Sequence, residues 1–193
     1  MSTVEEREEA RRARALELLA QLRAVERLSA LGTVEITGAV AHRLTVAHDI
    51  DLDVTVDELD AHAILAVIAE LATDPIVTRV VYRNDAETYG WLAFDVVMGD
   101  WAIELYVSTP SASCFGWTSE LARAFGDMLD AEQRHAILEL KEALADDPEY
   151  RSMDVYRGVV DGGVRDLDGF RRWREEHGSE ELRRWLPGTV RSS

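Results

Sequence analysis

The chain has 193 residues, 47% hydrophobic and 30% charged, enough for one domain with a full core or one domain with a helical extension. Its formal net charge of -16 repels phosphate backbones, which argues against a standing nucleic-acid partner, and draws in cations instead. No apolar run reaches bilayer length, and the opening Glu5-Glu6-Arg7-Glu8-Glu9 lacks an apolar signal core, so the expectation is a cytoplasmic chain without a membrane partner.

In chain order, residues 4–30 read as one long amphipathic helix, with Leu18, Leu22, Val25 and Leu28 at helical spacing and Gly32 ending it. That helix also offers a surface for a homodimer. A short strand over Val34–Thr37 runs into Gly38-Ala39, and residues 40–48 form a connection or short helix. An alternating strand follows over Asp49–Val56. Asp57 is expected to cap a helix carrying Ile64, Val67, Ile68 and Leu71 on one stripe. A strand over Ile76–Tyr82 comes next, then Trp91–Met98 and Trp101–Val107 joined by Gly99-Asp100, a tight-hairpin signal.

Beyond Pro110 the pattern is helical. Asp130 caps a helix to about Leu144, a helix over Val155–Val160 closes at Gly162-Gly163, and a helix over 167–177 stops at Gly178. A last short helix ends at Pro187, and the final residues read as disordered. Trp117, Trp173 and Trp185 are expected to anchor these helices. Cys114 is the single cysteine, which rules out an internal disulfide framework and fits a reducing compartment. The expected class is α/β (α+β): a mixed, largely antiparallel sheet with flanking helices over 1–110, then a helical region over 111–193.

The strand around Asp49 is the most informative segment. Alternation puts Asp49, Asp51 and Asp53 on one face and Ile50, Leu52 and Val54 on the other. Aspartate disfavours strands and like charges repel, so a divalent cation would offset the row. The plainer reading is a wet face on which acids merely solvate. With Gly99-Asp100 as the loop, Asp95 falls opposite Glu104, a like-charge pair that is destabilising unless something bridges it. One face of the hairpin then holds Trp91, Asp95, Glu104 and Tyr106. The other holds Leu92, Phe94, Val96, Met98, Trp101, Ile103, Leu105 and Val107, which reads as core.

Gly38-Ala39 followed by Asp49-Ile50-Asp51-Leu52 resembles the nucleotidyltransferase superfamily of DNA polymerase beta, kanamycin-type antibiotic transferases and the minimal bacterial nucleotidyltransferases. The resemblance covers roughly residues 33–107 and rests on an ordered set: a turn, an Asp-x-Asp strand, a helix, further strands and a late carboxylate. It implies that Asp49 and Asp51 bind Mg2+ (or Mn2+) bridging the phosphates of a nucleoside triphosphate substrate. Glu104 would be the third carboxylate that helps activate the attacking hydroxyl, with Asp95 its rival. Asp53 lies beyond the usual pair. The activity implied is transfer of a nucleoside monophosphate to a hydroxyl of a small, antibiotic-like molecule or a protein. The acceptor itself is unspecified.

One departure stands out. The family places a serine after the turn glycine, where it bonds a phosphate, and this chain has Ala39. Loss of one such contact weakens binding by roughly 1–3 kcal/mol, so a degenerate, non-catalytic module of the same fold is the alternative. Among 21 basic residues only Lys141 is a lysine. It lies on the stripe of Ile137, Leu140 and Leu144, and a lysine from the helical half meets the triphosphate in related antibiotic transferases. A stem that packs while its amine reaches water is the competing role. Arg43 can also touch phosphate, or be a surface arginine. Trp91 and Tyr106 either stack a base, flank an acceptor or pack as core. The histidines, His48 included, receive no role.

Overall fold

The computed structural model of the chain describes residues 2–112, 116–149, 151–177 and 185–187. Cys114, the stop at Gly178 and the final residues lie outside the described residues. Thr3 and Glu6 form a capping box that starts α1 (Val4–Gln21). The single helix expected over 4–30 is two, because Arg23 turns left-handed (φ 49) and the chain restarts as α2 (Ala24–Leu28). In an unbroken helix Leu22 and Ala24 would point roughly 200° apart, so one would face water. The break brings Leu22, Ala24 and Leu28 all to 0% exposure, and Val25 is left outside the core stripe at 37%.

The chain continues through β1 (Thr33–Ile36), the short α3 (Gly38–His42) and β2 (Asp49–Thr55). Helix α4 (Ala61–Ala72) is capped by Asp60, which accepts from the His62 and Ala63 amides, and not by Asp57. Strand β3 (Arg79–Asp85) begins later than expected. Asp74 explains the delay: its side chain accepts from Ile76 N–H and its carbonyl from Val77 N–H, committing both to a turn. A short helix α5 (Ala86–Tyr89), unforeseen in the sequence, precedes β4 (Trp91–Met98) and β5 (Trp101–Ser108). Gly99 carries the positive φ (63) that their tight turn requires.

The sheet order is β1-β2-β5-β4-β3, with β2 and β5 parallel and every other pair antiparallel. Ile50, Leu52, Val54, Leu92, Phe94, Val96, Ile103, Leu105 and Val107 are buried with residues of α1, α2 and α4 in one core. The helical half comprises α6 (Trp117–Met128), α7 (Ala131–Ala143), α8 (Ser152–Val160) and α9 (Leu167–His177). Asp130 and Gln133 form the capping box that starts α7, and α8 begins three residues earlier than the sequence suggested. These helices build a second core around Phe125, Ile137, Tyr156 and Phe170, which Val4 and Leu44 enter from the other half. Among the described residues no helix is long and apolar enough to cross a membrane.

Candidate nucleotide and metal site

The same alternation that buries Ile50, Leu52 and Val54 turns Asp49, Asp51 and Asp53 to the opposite face of β2. Parallel pairing sets Asp51 beside Glu104 and Asp53 beside Tyr106, and the hairpin sets Asp95 beside Glu104. Four strands thus place Glu35, three aspartates, Glu104 and Asp95 on one side of the sheet. Asp95 differs from the others because Arg83, reaching across from β3, donates to its Oδ2 at 2.7 Å. Among the described residues Glu104 accepts from the Tyr106 hydroxyl alone, at 3.3 Å.

Electrostatics mark the same cluster. Asp51 is pushed up to about 7, first by burial and then by Asp49, Glu104 and Asp53. Glu104 is raised by burial, then by Asp49 and Asp95. Burial raises Asp53 too, against a hydrogen bond from Thr118. The Tyr106 hydroxyl is held well above its usual range by burial and by Glu104 and Asp51. Asp49 Oδ1 is buried with no hydrogen-bond partner among the described residues. These are hard oxygen donors short of positive charge, the chemistry that suits Mg2+ or Mn2+. Among the described residues no group of three or more acidic, histidine or cysteine side chains is already gathered to hold an ion. Magnesium is commonly held by one or two carboxylates together with substrate phosphates and water, and Asp49 and Asp51 are the two carboxylates that line the cavity beside Gly38.

Gly38 opens the turn against the cluster with a left-handed backbone (φ 58). A Cβ there would fall 1.7 Å from Asp51 Oδ2, so only glycine lets this turn lie against the acid. Thr37 N–H donates to the Asp51 carbonyl at 3.0 Å and ties the turn to the strand. Gly38, Ala39, Asp49 and Asp51 line a cavity of about 440 Å³ whose far wall is Trp117, Lys141 and Tyr156 from the helical half. Lys141 is 3% exposed. Its Nζ stays inside, donating to the Leu44 carbonyl at 2.7 Å and the Tyr156 hydroxyl at 3.3 Å, so its amine does not reach for water.

The sequence-derived residues thus divide. Asp49, Asp51, Gly38, Ala39 and Lys141 share one cavity. Glu104 sits beside Asp51 in the sheet but lines neither this cavity nor its neighbour. Arg43 is exposed, ends α3 with a left-handed backbone (φ 59), and lines neither. Its carbonyl accepts from Arg134. His42, given no role from sequence, is 5% exposed and lines the cavity, its Nδ1 without a partner among the described residues. It stands edge-on to Phe125 at 5.0 Å and is lowered to about 4 by burial, Lys141 and Arg134. Trp117, Thr118, Met153 and Tyr156 were also missed, since nothing in a helical stripe says which strand face it will cover. His48 pairs with Asp100 at 2.9 Å and stacks on Trp101, away from the cavity.

No protein-family model matches the chain, and no curated protein does. Solved structures do match. The chain is similar to the GLD-2–GLD-3 poly(A) polymerase complex, with a TM-score of 0.54 and 12% identity over 83% of this chain and 58% of that one. It is similar to GLD-2 in complex with RNP-8, at 0.53 and 16% over 94% and 71%. The Cid1 poly(U) polymerase with magnesium and 3'-dATP bound matches at 0.52 and 16% over 69% and 42%. The chain spans about 58% of the chain in the GLD-2–GLD-3 complex and about 42% of that of Cid1. It shares the fold of these nucleotidyltransferases.

Proposed function

We propose that this chain is a divalent-metal-dependent nucleotidyltransferase that moves a nucleoside monophosphate from a nucleoside triphosphate to a hydroxyl of a small molecule or protein. The observation that carries this reading is the cavity in which Gly38, Asp49 and Asp51 meet the buried Lys141. Asp49 and Asp51 would hold the metal, Mg2+ or Mn2+, which when bound neutralises phosphate charge and polarises the reacting phosphoryl group. Gly38 permits close backbone approach by the phosphates, and Lys141 supplies a fixed positive charge facing them. Glu104, in no ion pair among the described residues, is the carboxylate to take the acceptor hydroxyl's proton, whereas Asp95 is already neutralised by Arg83. Positioning and charge carry this chemistry, and no covalent enzyme intermediate is needed.

Similar structures are named as a poly(A) polymerase, a poly(U) polymerase and an RNA terminal U-transferase, which makes an RNA end the competing acceptor. The net charge of -16 and the acidic face argue for a small molecule or protein instead. Calorimetric titration with Mg·ATP tests the donor site. Wild type should bind, and Asp49→Asn and Asp51→Asn should each lose at least tenfold in affinity while remaining folded. Equal affinity in all three proteins would remove the reading.

A second reading, a module that binds nucleotide without turnover, is favoured by Ala39, whose methyl lines the cavity where the family has a hydroxyl. Pyrophosphate release from ATP, GTP, CTP or UTP with an acceptor would exclude it.

A further inference from the structure

The two edges of the sheet differ. β1 offers four residues and β3 seven, and among the described residues β3 pairs with β4 alone. Met98 and Trp101 flank a two-residue turn and so exchange main-chain hydrogen bonds. Alternation from there turns the backbone polar groups of Val97, Asp95, Ala93 and Trp91 toward β3. Thr78 N–H donates to the Val97 carbonyl at 2.8 Å, in keeping with that phase. Their partners Arg79, Val81, Arg83 and Asp85 use the inner side of β3, and the N–H and C=O groups of Val80, Tyr82 and Asn84 point outward from the sheet. We propose that this edge is a self-association surface, on which a second copy of the chain pairs antiparallel about Tyr82 and continues the sheet.

The order of side chains selects that occupant. With the twofold axis at Tyr82, this residue meets its own counterpart, Val80 meets Asn84, Val81 meets Arg83 and Arg79 meets Asp85. Symmetry supplies the Arg79–Asp85 pair twice, each opposite in charge. An axis at Val81 would set Arg79 against Arg83, and an axis at Arg83 would set that arginine against itself. Charges on an edge ordinarily discourage pairing, and here they discourage only the neighbouring registers. Among the described residues neither Arg79 nor the Asp85 side chain has an ion-pair partner, while Arg83 is held by Asp95.

The axis residue suits its place. Tyr82 is 40% exposed and its ring stacks on Phe94 at 5.0 Å, so the paired tyrosines add an aromatic cross-strand contact on a packed base. The strand carries two arginines and one aspartate in a chain of net charge -16, so the copies approach along an edge outside the repelling acidic surface. The axis stands perpendicular to the sheet, and both candidate sites lie on the same side of the joined sheet.

Sedimentation velocity of the full chain over a concentration series tests the proposal. Wild type should pass from monomer to dimer, less readily as salt rises. Arg79→Asp and Asp85→Arg, each alone, should weaken association about tenfold, because symmetry turns two attractive pairs repulsive at once. Mixed together, these two variants should associate with each other about as well as wild type does with itself, since every cross pair is again opposite in charge. A folding defect cannot produce that rescue. Tyr82→Pro removes the outward amide at the axis, leaves the ladder to β4 whole and should abolish association, with circular dichroism as the folding control. In wild type the Val80, Tyr82 and Asn84 amides should exchange hydrogen more slowly as concentration rises. A wild type that stays monomeric throughout, a dimer indifferent to these variants, or a mixture that fails to associate would overturn the proposal.

Discussion

Replacing Asp51 by asparagine should make the metal-free protein more stable and the metal-loaded protein unattainable. Asp51 ionises at about 7 in the fold against an ordinary 3.8. At about 1.36 kcal/mol per pH unit, keeping it ionised costs the folded state up to roughly 4 kcal/mol. The native state holds this proton more tightly than the unfolded chain does. Its contribution is therefore full below 3.8, falls as pH rises toward about 7, and is flat above. An asparagine cannot ionise and so avoids this cost. Allowing for imperfect geometry, the variant should gain about 2 kcal/mol at pH 8, or about 4–8 °C in melting temperature for a chain of this size. At pH 5 the gain should shrink by half or more, because wild-type Asp51 is then protonated. Magnesium should raise the wild-type transition and leave the variant's unchanged. Thermal melts at pH 5 and pH 8, with and without Mg2+, read all four states. A variant no more stable than wild type at pH 8, or an equal response of both to Mg2+, would refute the reasoning.

Gly38→Ala should be severe for a glycine change: the left-handed backbone costs about 1 kcal/mol, and the 1.7 Å approach to Asp51 Oδ2 forces the turn or the acid to move. Denaturation should show a loss of about 2 kcal/mol or more, and calorimetry a collapse of Mg·ATP affinity. Lys141→Met leaves the Leu44 carbonyl without its 2.7 Å donor, so stability should fall by about 1–3 kcal/mol, with Mg·ATP affinity at least tenfold weaker by titration. His42, depressed to about 4 from 6.5, should contribute roughly 3 kcal/mol that is present above pH 6.5 and lost as pH falls toward 4. Asp51 acts in the opposite sense over much of that window, so the effect is read as the difference between wild type and His42→Gln in melts across pH 4–7.

Most of the sheet was legible because period-two alternation survives into the fold. Ile50, Leu52 and Val54 are fully buried where the pattern placed them, and the Gly99-Asp100 turn fixed the opposition of Asp95 and Glu104 seen in the ladder. Boundaries failed where one side chain took over the backbone, as Asp74 did ahead of β3 and Asp60 did at α4. The break at Arg23 was hidden because Leu18, Leu22, Val25 and Leu28 satisfy a helical stripe that tertiary burial then rearranges. The strand side of the candidate site could be read, since acids on alternate positions of a strand are costly and conspicuous. Its helical wall could not. Nothing local distinguishes Tyr156 or Trp117 over the acids from the same residues in an ordinary core, and His42 becomes noticeable only once Phe125 and Tyr156 enclose it.

The central claim, that Asp49 and Asp51 jointly hold a divalent ion for a nucleoside triphosphate, is tested most directly by crystals grown with Mn2+ and a nonhydrolysable ATP analogue. The account predicts anomalous density within coordination distance of both carboxylates, with the triphosphate between Gly38 and Lys141. Manganese elsewhere, or a nucleotide seated away from these residues, would contradict it.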